Sequence, residues 1–389
     1  MRPLLAALVL VAAVAHPAGA QQPLNEVLSF LLTNRSIPTG DFTGDAQAAA
    51  AARDAISELL LSELTSLPIN SPASGFTYRL DPALGTDVRS SDNFGPFFVE
   101  RSLTAGKGQA SLGFGVTHAA FDNIDGRSLR DGTLVATASQ LVGETQSFDA
   151  ETLTLRIQAS TLTVSGLVGV TDRLDLSAAV PLVTVRFSGE RVDTYRGTSI
   201  VQANAVASAS GIGDVLVRAK YNVLRSGANG LALAAEARLP TGSSDNLLGA
   251  SETVFTPRII GSAERARIAT HGNFGYSMGG RSNAMDFSGA VTVAGSPRLT
   301  LIAELLGRRV DAGGRLAYTT ALHPGLVGVE TIRLTGTQEA TTRLAMVAGI
   351  RWNIAQRWLF NVNVVRPLTS AGLNAHWVPS VTFDYSQGD

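Results

Sequence analysis

The stretch GIGDVLVRAKY, Gly211–Tyr221, decides the fold. Val215, Val217, Ala219 and Tyr221 take alternate positions, and Asp214, Arg218 and Lys220 fall between them. Successive side chains of a strand point to opposite faces, so this strand has one apolar face and one charged face. A half-buried strand of a soluble sandwich reads the same way. Which face meets water must come from the rest of the chain.

The chain has 389 residues and a formal net charge of −1, which argues against a nucleic-acid partner and its basic patch. Only 16% of residues are charged, against about 25% in typical soluble domains. Mean hydropathy is +0.16. Yet beyond the N-terminus no apolar run approaches the roughly 18 residues of a spanning helix. There is no cysteine, which removes disulfides, thiolate metal sites and thiol nucleophiles.

The N-terminus reads as an export signal over 1–20. Arg2 supplies a positive start, Leu4–Ala15 an apolar stretch, and Ala18-Gly19-Ala20 a small-residue cleavage site that leaves Gln21 first. The alternative, an anchor helix, needs a longer apolar run. Export, high hydropathy and no spanning helix fit one class together. That class is an all-β, antiparallel, up-and-down transmembrane barrel in the bacterial outer membrane, since a closed barrel leaves no unpaired backbone in lipid.

Residues 21–74 form a separate, helical segment. The spacing predicts a helix from about Asp45, as N-cap, to Leu67, stopped by Pro68. Its apolar stripe is Ile56, Leu59, Leu60, Leu64 and Leu67. A shorter helical turn covers Leu24–Leu32. Three placements suit such a segment: a cap on the periplasmic rim, a plug inside the lumen, or a partner-binding arm.

From Gly75 the texture is that of a barrel, 75–389. Tight turns centre on Ala105–Gly108, Thr171–Leu174, Arg225–Gly230, Ala263–Ala266, Gly295–Arg298 and Ile354–Arg357. Polar spans Asn123–Ala150, Gly189–Ser208, Pro240–Thr253 and Asp311–Ala340 are the expected external loops. Counting from Gly75–Leu80 gives about 14 strands, or about 12 without the weakest pair, an even number either way. The larger count is preferred. Trp352, Trp358, Trp377, Phe360, Phe383 and Tyr385 sit near predicted strand ends, where interfacial girdles place aromatics. This belt, with the low charge, favours the barrel over the sandwich.

In a barrel the apolar face meets lipid and the polar face lines the lumen. The lumen-facing candidates are then Arg156, Asp214, Arg218, Lys220, Glu236, Arg238, His271, Asp286, Glu304 and Arg308. Both signs are mixed, which favours internal ion-pair packing over a selectivity filter of one sign. Catalytic chemistry is thinly marked. His118, His271, His323 and His376 are lone histidines, and no G-x-S-x-G elbow, H-E-x-x-H or Walker loop is present. Asp122–Gly132 looks like a calcium loop but misses the spacing, so a polar loop is the reading. No catalytic residue, metal or cofactor is assigned.

The opening stretch, read with its neighbours, resembles an outer-membrane family described as MetA-pathway phenol-degradation-like. The residues that carry the resemblance are Gly211, Gly213, Asp214, Lys220, Tyr221, Leu239, Pro240, Thr241, Gly242, Leu247, Leu248 and Gly249, with Val170–Val183 as the preceding hairpin. The match is clear over about Val164–Gly249. It implies a barrel associated with uptake of hydrophobic or aromatic compounds, and supplies no binding residues. The helix-plus-barrel plan is also similar, in architecture alone, to the outer-membrane long-chain fatty-acid channel with its N-terminal hatch. The expected function is passive uptake of small, hydrophobic or aromatic solutes, gated by Pro23–Ser71. The expected partners are outer-membrane lipid, those solutes and the barrel-assembly machinery. A structural or adhesive barrel with a filled lumen is the alternative, and a lipid hydrolase a weaker one.

Overall fold

The computed structural model describes residues 22–66, 75, 78–81, 86–89, 91 and 93–387; the expected export signal lies outside them, as do Leu67 and Pro68. No helix among the described residues is long and apolar enough to cross a membrane.

The membrane is crossed by strands, numbered here in chain order. The barrel is β3 (Ala110–Ile124), β6 (Ser147–Thr171), β7 (Leu174–Tyr195), β9 (Val215–Ser226), β10 (Asn229–Leu239), β11 (Val254–Arg265), β12 (Ile268–Gly279), β13 (Ala284–Ser296), β14 (Leu299–Leu322), β15 (Val329–Ala355), β16 (Trp358–Pro367) and β18 (Val378–Gln387). Each pairs antiparallel with the next in that order, and β18 closes on β3. The barrel therefore has 12 strands, not the preferred 14. β1 (Tyr78–Asp81) and β2 (Thr86–Arg89) pair only with each other, so the barrel starts at Ala110 rather than Gly75. The turn at Ala105–Gly108 is no hairpin; it leads into β3.

The five remaining tight turns share one rim, the periplasmic one by the usual asymmetry of such barrels. At the other end much of the expected loop is strand. β6, β7, β14 and β15 run for 25, 22, 24 and 27 residues, more than twice the ~9–11 residues that span a bilayer. Short β5 (Leu134–Leu141) joins β6 to β15, and β8 (Thr198–Ile212) extends β7. Two further fragments, β4 (Arg127–Ser128) and β17 (Leu373–Ala375), pair with β3. A tall collar thus stands above the membrane on one side of the barrel.

Strand β6 crosses both environments. Its odd positions point inward throughout. In the lower half these are Thr161, Thr163 and Ser165, and Leu162, Val168 and Val170 are exposed on the outer face. In the upper half the inward residues are Leu153, Leu155 and Ile157, all buried, while Arg156 and Gln158 are exposed. Below, lipid is outside and polar groups are inside; above, water is outside and an apolar core is inside. Arg156 is accordingly not a lumen residue.

That upper core is supplied by two helices. α1 (Leu24–Leu32) buries Leu24, Val27, Leu28, Leu31 and Leu32 against β7 and β8. α2 (Phe42–Ser66) descends along β14 and β15, with Ile56, Leu59 and Leu60 buried. Asp41, not Asp45, caps α2: its Oδ1 accepts the Gly44 N–H at 3.0 Å. Asp45 instead pairs with Arg333 of β15 at 2.6 Å. The helix lies close on the sheet because glycines face it. A Cβ on Gly336 would overlap the Ala51 carbonyl, and one on Gly314 would lie 3.1 Å from the Ala55 Cα. The helices sit in the upper lumen and collar, not on the periplasmic rim, because only there does the inner wall offer an apolar surface to their stripes.

Candidate functional site

Below α2, residues 93–108 thread the lower lumen toward β3, and the barrel wall satisfies their backbone. Glu304 of β14, 3% exposed, accepts the N–H groups of Phe97, Phe98 and Val99, the last at 3.1 Å. Thr300 accepts from Phe94 at 3.1 Å, and Arg351 of β15 donates to Pro96 O at 2.8 Å. Lys220 Nζ donates to Leu103 O at 2.8 Å, and Asn222 to Ser102 O at 2.7 Å. Asp175 of β7 accepts from Ala105 N at 3.1 Å. A buried backbone without secondary structure must find partners elsewhere, and here the lumenal charges are those partners.

Above this floor lies a cavity of about 260 Å³. One side of it, formed by β9–β14, carries Arg218, Glu236, Arg238, Arg258, Asp286 and Arg308. The other, from β3 and β15–β18, carries Phe121, Ala345, Val365 and Val378. Phe98 and Glu100 close it below, and Ala250, Pro367 and Thr369 belong to its outer, loop-side end. Arg218 bridges Glu100 of the threaded segment and Glu236 of the neighbouring strand. Arg343, opposite, holds Glu63 near the end of α2.

Of the residues singled out in sequence, Arg218, Glu236, Arg238, Asp286 and Arg308 line this cavity, while Lys220 and Glu304 hold the segment beneath it. Asp214 lies at the outer end of β9. It accepts N–H groups from Gly242 at 3.1 Å and Ala250 at 2.8 Å, and Thr241 Oγ1 donates to Gly213 O at 2.7 Å. A Cβ on Gly242 would lie 2.7 Å from the Gly249 Cα. The motif residues around Gly211–Asp214 and Thr241–Gly249 thus tie one external loop into a knot with Asp214 at its centre. Sequence reasoning passed over Glu100, Asp175, Arg258, Arg343 and Arg351. The last four sit on inward positions of alternating strands and could have been found by parity. Glu100 lies in the threaded segment, which has no periodicity to read.

His271 lies 2.9 Å from Ser262 Oγ through Nδ1, but this pair is packed in among Ser91, Asn93, Arg101 and Leu103 with no open volume for an ester substrate. His118 pairs with Ser160 at 2.9 Å, and His323 contacts Pro38 O at 2.9 Å. In the calcium-like loop, Asp125 accepts N–H groups from Leu316 and Gly372, both at 2.8 Å, and acts as a loop pin. No cluster of three acidic, histidine or cysteine residues suited to a metal occurs among the described residues.

No curated protein sequence matches the chain. Among solved structures it is similar to an outer-membrane channel from Pseudomonas putida F1, with a TM-score of 0.47 and 12% identity over 74% of this chain and 98% of that one. It is also similar to the P. putida toluene transporter TodX, with a TM-score of 0.34 and 11% identity over 75% and 98%. A Pseudomonas aeruginosa FadL homologue gives 0.33 and 11% over 81% and 95%. These are likenesses of barrel architecture. The family model described as "Putative MetA-pathway of phenol degradation" matches residues 130–372, more than half of the chain, and the chain belongs to that family.

Proposed function

We propose that this barrel is an outer-membrane channel for small hydrophobic or aromatic solutes, closed at rest by its own N-terminal segment. The observation that carries this reading is the two-faced cavity in the lumen, bounded by Glu63 of α2 and by Phe98 and Glu100 of the threaded residues 93–108. Its volume of about 260 Å³ suits a single substituted ring, since a cavity of ~150 Å³ holds benzene. Solutes enter from the loop side and leave when the threaded segment yields. The gate is therefore residues 93–108 rather than the helices of Pro23–Ser71. The dense clamping of that segment favours a second reading, a permanently filled structural barrel. Liposome swelling separates the two: phenylalanine, a zwitterion that bare lipid excludes, should enter protein-loaded liposomes well ahead of a sugar of similar size and stay out of protein-free ones. Equal exclusion of both, in wild type and in a variant with weakened clamps, would establish the filled barrel.

A further inference from the structure

One register row of the cavity wall has a surplus of cationic hydrogen-bond donors. Arg258 of β11 lies opposite Gly275 of β12, Gly275 opposite Asp286 of β13, and Asp286 opposite Arg308 of β14. Four neighbouring strands thus present Arg, Gly, Asp and Arg at one height. Asp286 is already engaged, accepting from Arg308 Nη1 at 3.2 Å and from Ser277 Oγ at 2.8 Å. Arg258 reaches a carboxylate only at 3.8 Å, on Glu236, which Arg218 already holds. The Nε–H groups of Arg258 and Arg308 are buried and have no acceptor. Gly275 puts no side chain between them, and the wall is tight there: a Cβ would lie 3.2 Å from Thr256 Cγ2, 3.3 Å from the Pro257 carbonyl oxygen and 3.6 Å from Arg258 Cγ.

A guanidinium is a planar fork of donors that matches a carboxylate, and a buried donor without an acceptor is unfavourable by itself. Two such forks flank one occupied aspartate, so the row lacks an anion. Across the cavity Phe121 and Val378, and at its floor Phe98, offer apolar surface. We propose that the cavity binds a monoaromatic carboxylate, its carboxylate between Arg258 and Arg308 and its ring against Phe98 and Phe121. This rests on the reading of the barrel as a solute channel and narrows its substrate class from small hydrophobic or aromatic solutes to aromatic acids.

Titration calorimetry of the full chain in detergent tests it, with benzoate, benzyl alcohol and acetate as probes. Benzoate should bind at least tenfold more tightly than either of the others, because one lacks the charge and the other the ring. Arg258→Gln with Arg308→Gln should weaken benzoate at least tenfold and leave benzyl alcohol unchanged. Equal binding of benzoate and benzyl alcohol to the wild type overturns the proposal, and needs no variant to fold. So does full benzoate affinity in the double variant. If phenylalanine crosses liposomes only when the protein is present but benzoate has no binding advantage, the channel stands and the acid preference falls. If benzoate binds but nothing crosses, the site stands and the channel reading falls.

Discussion

Replacing Glu304 with alanine should unlatch the threaded segment. The carboxylate accepts three consecutive backbone N–H groups, from Phe97, Phe98 and Val99, at a position almost wholly removed from solvent. Each buried donor left without a partner is unfavourable by about 1–3 kcal/mol, which sets a ceiling of roughly 9 kcal/mol for three. The burial penalty of the carboxylate itself is relieved at the same time, and it amounts to several kcal/mol. Arg351 keeps Asp384 at 3.4 Å, so no second charge is stranded. A net bias of about 3 kcal/mol toward the undocked segment follows, or about 100-fold in the ratio of docked to undocked forms. Single-channel recording in planar bilayers reads that ratio as open probability. Glu304→Gln should fall between wild type and alanine, because the amide oxygen still accepts while its NH₂ group opposes a donor. An open probability for Glu304→Ala within twofold of wild type would refute the argument that this clamp holds the lumen shut.

Four further outcomes follow from particular contacts. Gly336→Ala should loosen α2 by about 1–3 kcal/mol through the overlap with the Ala51 carbonyl, seen as lost hydrogen-exchange protection over 42–66 with the barrel unchanged. Arg191→Met strands the fully buried Glu151, whose partner Arg191 lies 3.2 Å away and also donates to Leu31 O at the end of α1 at 3.2 Å. A loss of about 3–5 kcal/mol in local stability is expected, with exchange of α1 amides as the readout. Leu305→Arg, on the lipid face, should disfavour folding into vesicles by ~2–4 kcal/mol, whereas Gln158→Arg, on the outer face of the collar, should leave it unchanged. In the collar, above the membrane, burial and the neighbouring Asp193 push Asp149 up to about 6. A carboxyl raised in the folded state stabilises most when protonated, and that contribution is lost as pH rises from about 4 through about 6. Asp149→Asn should therefore raise Tm at pH 8 and leave it unchanged at pH 4, and a gain of the same size at both pH values would remove Asp149 as the cause.

The lipid-spanning strands were legible because one rule governs them from rim to rim. Val217 and Tyr221 are exposed and Lys220 is buried, as a lipid-facing alternation requires. The same alternation in Leu153–Ile157 carries the opposite meaning, since Arg156 there faces water and the leucines face the helices. Periodicity reports that two faces differ; it does not report what lies outside them, and that changes with height above the membrane. The helices were legible from composition and spacing, but their seat was not. It depends on Gly314 and Gly336, which in sequence are two glycines among 39. The threaded segment was illegible for a deeper reason. Residues 93–108 form no regular element among the described strands and helices. Their conformation is set by Glu304, Arg351, Lys220 and Asp175, partners 70 to 255 residues away.

The two parts of the N-terminal segment are held by different balances of forces. The helices are held by burial of leucines and by close contact on glycine, so undocking them exposes apolar surface that water cannot compensate. The threaded residues bury Phe94, Phe97, Val99 and Leu103 and add a row of hydrogen bonds from wall to backbone. Water admitted to the lumen can replace each of these at a net loss of only about 0.5–1.5 kcal/mol. On the proposed reading, a solute that enters from the loop side and wets the cavity floor at Phe98 and Glu100 meets these hydrogen bonds first. Arg218 is shared between Glu100 and Glu236, so it can release the first carboxylate and keep the second without leaving a bare charge. If the channel opens as proposed, the mixed charges of the lumen act as latches beneath the helical cap rather than as a filter of one sign.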